Sequence, residues 1–223
     1  MEVVGLFTGI VAAYLLGSFP TGVLVGKLFF DADPRKGGSG ASGATNIFRQ
    51  FGVKAGIAVS IVDVGKGALA AYLCSLFGAG LADSMSLEPQ TLALLLKIAG
   101  ALLAVLGHVY PVFAGFKGGK GVATGAGAII FIAPGAALFA ALGFVIVLGS
   151  TGIVSASSMT AAALLPIAVA LGAAGRPVSA WLFGFSLLLA LFVLYTHRAN
   201  LRRIARGEEK AFDKLRFLRW RKK

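Results

Sequence analysis

Long apolar runs, separated by short polar or glycine-rich stretches, divide the chain. Crossing a bilayer takes about 20 apolar residues, so the runs predict spans near 3–30, 52–77, 90–113, 151–174 and 179–196. The run 122–150 is too long for one span, and Pro134-Gly135 splits it into two short helices. Gly17-Ser18-Phe19-Pro20 interrupts the first run and predicts a kink there. The pattern predicts an all-α membrane protein, with seven transmembrane helices in one bundle and residues 1–223 as a single domain.

The distribution of basic residues predicts which ends face the cytoplasm. With seven spans, the loops 31–54, 114–121 and 150–152 lie on the same side as the C-terminal tail. Together with the tail, these loops hold most of the lysines and arginines, whereas the opposite loops hold only Arg176. We therefore expect a cytoplasmic C-terminus and an external N-terminus. Six spans would spoil this asymmetry.

Composition supports a membrane protein and limits its partners. Hydrophobic residues make up 57% of the chain and charged residues 13%, and the mean hydropathy is +0.87; a soluble domain carries about twice that charge. The net charge is +12, and about half of the basic residues follow His197. Charge alone would allow a nucleic-acid partner, but a tail lying on anionic membrane lipid explains it better, so no nucleic acid is expected. The single cysteine, Cys74, excludes an internal disulfide, and the N-terminus predicts a retained first span and no cleaved signal peptide.

The stretch Gly107–Thr124, GHVYPVFAGFKGGKGVAT, predicts a seat for a phosphate. Its glycines let backbone N–H groups point at one spot, and Lys117, Lys120 and the start of the next helix add positive charge. A nucleotide P-loop is disfavoured because Gly121 follows the lysine and Ala114 occupies the early glycine position. The alternative is a loop whose lysines only set the topology.

A second glycine-rich stretch, GGSGASGATNIFR at 37–49, offers small residues, hydroxyls, an amide and a guanidinium. Its Gly38-x-Gly40-x-x-Gly43 spacing matches a dinucleotide fingerprint, with Asp63 about 20 residues on. We reject that match because no strand precedes it and Asp63 falls within a span. The alternative to phosphate binding is a flexible linker, which has no need of Asn46 and Arg49 before a span.

Further polar residues occur where spans reach the cytoplasmic side. His108 and His197 are each candidates for helix caps or for catalysis, and on a helix His197, Asn200 and either Arg203 or Ile204 share a face. Serines 155, 157 and 158 open the sixth span, where hydroxyls are often simple caps. Asp63 and Lys66, three residues apart in a span, predict a structural ion pair in preference to a catalytic one, and Lys97 is a further intramembrane charge.

Together, these stretches resemble the membrane acyl-phosphate:glycerol-3-phosphate acyltransferases, the PlsY family. The resemblance covers nearly the whole chain. It is carried by Gly17-Ser18-x-Pro20, Gly38-Ser39-Gly40-x-x-Gly43-Ala44-Thr45-Asn46, Gly107–Thr124, Ser155-x-x-Ser158, His197-Arg198-x-Asn200 and Gly207-x-Glu209. The chain departs from the family at Ala41, where members usually have Asn.

The resemblance implies seven spans in a bacterial cytoplasmic membrane, with the active site on the cytoplasmic side. It also implies transfer of a fatty acyl group from acyl phosphate to the 1-hydroxyl of sn-glycerol 3-phosphate. The products are lysophosphatidic acid and phosphate, in the first acylation step of phospholipid synthesis. No cofactor and no metal is expected. No Ser-His-Asp set or reactive cysteine is required either, because acyl phosphate is already activated and positioning and charge neutralisation can supply most of the acceleration.

On this hypothesis the functional regions are residues 31–51, 114–121 and 197–223, whose side chains converge in one pocket at the inner leaflet. Lys120, Arg49 and the glycine loop neutralise phosphate and the developing oxyanion. Either His197 or a donor phosphate oxygen is the base. The candidate catalytic residues are Lys120, Arg49, His197, Ser158 and Asn200; the candidate substrate-binding residues are Ser39, Gly40, Gly43, Thr45, Asn46, His108, Lys117, Gly118, Gly119, Ser155, Arg203 and Glu209.

Two other classes compete with this enzyme. A transporter or channel for a phosphate-bearing solute would line a path with Asp63, Lys66 and Lys97, but the polar stretches crowd on one face. A scaffold held to lipid by its tail leaves the glycine loops unexplained. The His-x-x-x-x-Asp pair of soluble-type acyltransferases is absent, since Phe113 follows His108 and Arg202 follows His197 at that spacing.

Overall fold

A computed structural model describes residues 2–77, 87–173 and 178–218. Within these ranges the regular structure is helical. Most of the loops predicted at 78–89 and 175–178, including Asp83 and Arg176, lies outside the described residues, as do positions 219–223 of the tail. Contacts divide the chain into two compact units, Met1–Ile132 and Ala133–Lys223.

The first unit contains six α-helices among its described residues. They are α1 (Glu2–Ser18), α2 (Thr21–Phe30), α3 (Ala44–Phe51), α4 (Val53–Phe77), α5 (Pro89–Val109) and α6 (Val122–Ile132). Single 3₁₀ turns at Pro34–Lys36 and Val112–Ala114 lie in the connections. Helix α4 packs against α1, α3, α5 and α6, so it forms the centre of this unit.

Small residues let the helices of the first unit approach closely. Ala13, Ala70 and Ala104 form a fully buried cluster where α1, α4 and α5 meet. A Cβ added to Gly67 of α4 would overlap the backbone of Thr124 in α6, and one added to Gly127 of α6 would overlap α4 in return. In lipid the hydrophobic effect does not drive helices together, so van der Waals contacts at such close approaches stabilise their association instead.

The second unit contains α7 (Pro134–Thr151), α8 (Val154–Ala170), α9 (Ala180–Thr196) and α10 (Arg198–Ala205) among its described residues. Helix α8 packs against both α7 and α9. Helix α10 bends away from α9 by 61°. The tail then returns to the α7–α8 turn, where the Phe212 N–H donates to the Gly152 oxygen at 2.8 Å and the Leu218 N–H to the Gly149 oxygen at 3.0 Å.

Several of the described helices have the length and composition of membrane spans. Four are long and apolar enough to cross a membrane: Val4–Phe30 taken across its break, Val53–Leu76, Pro89–Ala114 and Pro134–Thr151; α9 with α10 makes a fifth. Helices α6 and α8 are apolar but shorter, and the 11 residues of α6 rise only about 16 Å. The breaks predicted at Pro20 and Pro134 are confirmed, whereas the count of seven spans stays a prediction.

The loop predicted over 31–49 is wrong in its second half, because α3 occupies Ala44–Phe51. This polar helix is held by tertiary contacts. Ile47 is fully buried, and Phe51 stacks on Phe30 with ring centroids 4.6 Å apart. The burial of Ile47 and the stacking of Phe51 stabilise as a helix a segment that is too short and polar to be recognised by periodicity.

Candidate active site

Two glycine-rich loops meet in the first unit. The Ser42 N–H donates to the Gly118 oxygen at 3.3 Å, and Gly43 faces Gly119 closely enough that an added Cβ would lie 3.8 Å from its Cα. Thus the two stretches proposed to bind phosphate form one surface of backbone groups.

Arg35 fastens the two loops further. Its Nη1 donates to the carbonyl oxygens of Ala114 at 2.6 Å and Lys117 at 3.4 Å. Its other guanidinium nitrogens bind Asp33, with Nη2 2.7 Å from Oδ2. The hydrogen bond from Arg35 lowers the pKa of Asp33 to about 2. The carboxylate therefore stays ionised and holds the guanidinium in place at neutral pH.

The loop 37–43 is shaped by the side chain of Asn46, at the start of α3. Asn46 is 2% exposed; its Oδ1 accepts from the Ser39 N–H at 3.0 Å. Its Nδ2 donates toward the carbonyl oxygens of Pro34 and Ala41, at 2.9 and 2.7 Å. Gln50, one turn later, also donates to Pro34 at 2.9 Å. Asn46 therefore acts on the loop from beneath, while Ser39 and Gly40 are exposed.

The loop after α5 folds back onto the end of that helix. The N–H groups of Gly118 and Gly119 donate to the carbonyl oxygens of Val109 and His108, both at 3.1 Å. A Cβ on Gly119 would overlap Nε2 of His108, so only glycine fits at this contact. Gly121, with φ of 81°, turns the chain into α6.

A buried polar cluster lies beneath this loop. Asp63 and Lys66 form the predicted ion pair, with Nζ 2.8 Å from Oδ1. Thr21 donates to the same oxygen at 3.1 Å, and Nδ1 of His108 lies 3.6 Å from it. Lys66 also donates to the Phe19 carbonyl oxygen at 3.1 Å. That carbonyl lies at the break between α1 and α2 and also accepts from the Thr21 N–H at 3.0 Å, so the lysine adds a second donor where the helical hydrogen-bond pattern is interrupted.

A second cluster, in the second unit, is centred on Glu209. The carboxylate accepts from Ser155 Oγ at 2.8 Å, Asn200 Nδ2 at 2.6 Å and Arg203 Nε at 2.6 Å. Asn200 and Arg203 thus share a face of α10, as predicted from their spacing. Burial raises the pKa of Glu209, but the three hydrogen bonds outweigh it and place the pKa below its usual value.

His197 and Ser158 are buried in the same unit. Nδ1 of His197 lies 2.8 Å from the Val193 carbonyl oxygen, so Nδ1 carries the hydrogen. Nε2 therefore holds the lone pair whenever the ring is neutral. The Ser158 hydroxyl donates to the Val154 carbonyl oxygen at 2.9 Å within α8. Ser155, in contrast, binds Glu209 and is more than a helix cap.

The candidate residues therefore fall into two groups. In the first unit the structure brings the loop that carries Ser39, Gly40 and Gly43, together with Asn46, to the loop of Gly118 and Gly119, which contacts His108. Thr45 and Arg49 are half-buried on α3. Lys120 is half-buried and Lys117 is exposed. In the second unit it brings Ser155, Asn200 and Arg203 to Glu209. The convergence of Arg49 and Lys120 with His197 stays a prediction.

Three contributors were missed from the sequence. These are Arg35, which the sequence marks only as one basic residue of a predicted cytoplasmic loop, and Gln50 and Thr124, which no sequence pattern singles out. Thr124 Oγ1 lies 3.1 Å from Nδ1 of His108. The Asp33-Pro34-Arg35 spacing, which suits a local carboxylate–guanidinium pair, was the one available signal.

Comparison with known proteins shows the family of the chain. A family model described as glycerol-3-phosphate acyltransferase matches residues 7–207. Two curated relatives bear that name. The protein from Chlorobium limicola (strain DSM 245 / NBRC 103803 / 6330) is 38% identical over 88% of this chain and 92% of its own length. The protein from Enterococcus faecalis (strain ATCC 700802 / V583) is 41% identical over 90% of this chain and 88% of its own.

Two solved structures are also similar. The crystal structure of PlsY (YgiH), an integral membrane glycerol 3-phosphate acyltransferase, in its glycerol 3-phosphate form matches with a TM-score of 0.80 and 32% identity, over 94% of this chain and 96% of that chain. The lysophosphatidic acid form matches with a TM-score of 0.77 and 31% identity, over 96% and 98%.

Proposed function

Since the chain belongs to the glycerol-3-phosphate acyltransferase family, we propose that it acylates the 1-hydroxyl of sn-glycerol 3-phosphate with acyl phosphate as donor. The products are lysophosphatidic acid and phosphate, and the reaction is an early step of phospholipid synthesis. The proposal is supported most directly by the surface formed where the two glycine-rich loops meet, because it carries the exposed Ser39 and Lys117 and the half-buried Lys120, whose hydroxyl and ammonium groups suit a phosphate.

The proposed chemistry needs positioning and charge neutralisation. The 1-hydroxyl oxygen attacks the acyl carbon, the C–O bond to the phosphate breaks, and phosphate leaves with that electron pair. The hydroxyl proton passes to Nε2 of His197 or to a phosphate oxygen of the donor itself. Lys120, Arg49 and the glycine loop neutralise phosphate and the developing oxyanion.

The other candidates are proposed to recognise or position glycerol 3-phosphate. Asn200 and Arg203 would contact it from α10, held in place by Glu209. Asn46 would act by shaping the loop that carries Ser39, given its buried amide. Ser158 would contribute its hydroxyl, and Lys117 its exposed charge.

We propose the same membrane arrangement that the sequence predicts. The chain is a multi-pass membrane protein, with the proposed seven spans in a bacterial cytoplasmic membrane. The loops and tail face the cytoplasm, and the tail lies against anionic lipid.

Purified protein in detergent, supplied with palmitoyl phosphate and glycerol 3-phosphate, tests this function. Phosphate release that depends on glycerol 3-phosphate, together with formation of lysophosphatidic acid, is the expected result. A parallel assay with palmitoyl-CoA should give little product. Preference for acyl-CoA would overturn the donor assignment. Uptake of labelled glycerol 3-phosphate into sealed vesicles without acylation would instead favour a transporter.

A further inference from the structure

The Asp63 cluster, formed by Asp63, Lys66, Thr21, His108 and Thr124, extends further than an ion pair requires. Asp63 is 2% exposed, and Lys66 and His108 are each 7% exposed. A buried pair that only joined two turns of α4 would be complete with its own hydrogen bonds. Here the carboxylate oxygen also faces Nδ1 of an imidazole on α5 at 3.6 Å.

The imidazole of His108 connects this carboxylate to the glycine loop. Nδ1 faces Asp63 and the hydroxyl of Thr124, whereas Nε2, on the opposite edge of the ring, lies against Gly119. The backbone adds a second link, because the Gly119 N–H donates to the His108 oxygen at 3.1 Å. A rotation of the ring would therefore displace the loop at the point where it is proposed to bind phosphate.

We propose that Asp63 is a positioning residue for the phosphate seat. Its carboxylate fixes the ring of His108, and the ring in turn supports Gly119 and its neighbours. This inference rests on the proposed function, since it concerns the same substrate. Lys66 has a separate task, which is to offset the buried charge and bind the Phe19 carbonyl.

A double-mutant cycle tests the route through His108. Asp63→Asn should raise the KM for glycerol 3-phosphate, and its Kd measured by calorimetry, about tenfold, with a smaller change in kcat. In a His108→Asn background the same substitution should change KM less than about twofold. Equal effects in both backgrounds would show that Asp63 does not act through the imidazole and would overturn the proposal.

A separate control tests whether Asp63→Asn acts only by destabilising the fold, because this substitution leaves the buried Lys66 without its carboxylate partner. The comparison is repeated in a Lys66→Met background, where Asp63→Asn creates no unbalanced charge. The rise in KM should persist there with a melting temperature no lower than that of Lys66→Met alone, because Asp63→Asn then removes an unbalanced buried charge. A lower melting temperature with an unchanged KM would reduce Asp63 to a structural role. Glu88→Gln, which removes an exposed carboxylate of the same unit, should match the wild type.

The readouts separate this inference from the proposed function. If the wild-type protein binds glycerol 3-phosphate but releases no phosphate from palmitoyl phosphate, the acyl-phosphate reaction is overturned. The role of Asp63 can still be tested in that case, because the double-mutant cycle can compare the Kd for glycerol 3-phosphate among the variants. Wild-type protein that fails to bind glycerol 3-phosphate overturns both.

Discussion

At the residue scale, the site depends on a few atoms that have no room to move. Gly119 touches the imidazole of His108, and Glu209 gathers three donors on one carboxylate. In each case neighbouring groups of the protein itself hold the loop or the side chain in position. Such preorganisation is what a reaction with an activated donor requires most.

Replacing Gly119 with alanine should damage the phosphate seat. The new Cβ would overlap Nε2 of His108 and push the loop away from α5. We expect the KM for glycerol 3-phosphate to rise at least about tenfold, which corresponds to about 1.4 kcal/mol of lost binding. Steady-state kinetics checks this. Gly184→Ala, at a helical glycine with open space around it, should leave KM unchanged; an unchanged KM in Gly119→Ala would contradict the tight contact.

Replacing Glu209 with glutamine should destabilise the protein by about 2 kcal/mol, because charge-assisted hydrogen bonds are lost. The pKa of Glu209 is lowered in the folded state, so its contribution is present above the unfolded pKa of about 4.3 and lost as pH falls through the folded value.

Melting curves of wild type and Glu209→Gln in detergent check this prediction. The difference in melting temperature should stay constant from about pH 8 to pH 5 and shrink below about pH 4. Glu208→Gln, at an exposed neighbour, is the control. A difference in melting temperature that grows as the pH falls would mean that folding raises the pKa of Glu209 instead of lowering it, and would contradict the prediction.

At the scale of elements, glycines decide how closely helices α4 and α6 pack. Gly67 and Gly127 each face the other helix's backbone, and Thr124, one turn from Gly127, carries the hydroxyl that meets His108. Helix packing and site geometry are therefore coupled through α6.

Gly67→Ala should force α4 and α6 apart. We expect a loss of about 1–3 kcal/mol in stability, together with weaker glycerol 3-phosphate binding as Thr124 shifts. Gly65→Ala, two residues away on α4 and facing open space, should be neutral in both measurements. Melting temperature and KM for the two variants provide the comparison. If Gly67→Ala and Gly65→Ala had the same melting temperature and KM, the close approach of α4 and α6 would contribute nothing to stability or binding.

Much of this architecture could be predicted from apolar runs and prolines, and part of it could not. The breaks at Pro20 and Pro134 follow from the missing N–H of proline, and the pairing of Asp63 with Lys66 follows from helical spacing. Helix α3 could not be predicted from the sequence, because its stability comes from the burial of Ile47 by residues distant in the chain. Arg35 donates a hydrogen bond to the carbonyl oxygen of Ala114, 79 positions away in the sequence, and no local sequence pattern predicts such a contact.

At the scale of the whole molecule, the proposed orientation gives a labelling prediction. In a Cys74→Ala background, Lys36→Cys and Lys214→Cys should react with a membrane-impermeant maleimide only in inverted vesicles, and Val178→Cys only in right-side-out cells. Positive loops stay on the cytoplasmic side during insertion, so this pattern is expected. Reaction of Lys36→Cys from outside would contradict the seven-span arrangement.

The short helix α6 has a consequence for the lipids around the protein. Its 11 residues rise about 16 Å, about half of a typical 30 Å hydrocarbon layer. The ammonium of Lys97 lies 5.3 Å from the ring centroid of Phe131, near the end of this helix, so a charge is placed at the depth where α6 stops. A local thinning of the bilayer would relieve both the hydrophobic mismatch and the cost of that charge. Turnover in phosphatidylcholine vesicles should therefore be highest with short acyl chains and decline as the chains lengthen, and equal turnover at every thickness would show that the bilayer does not deform around α6.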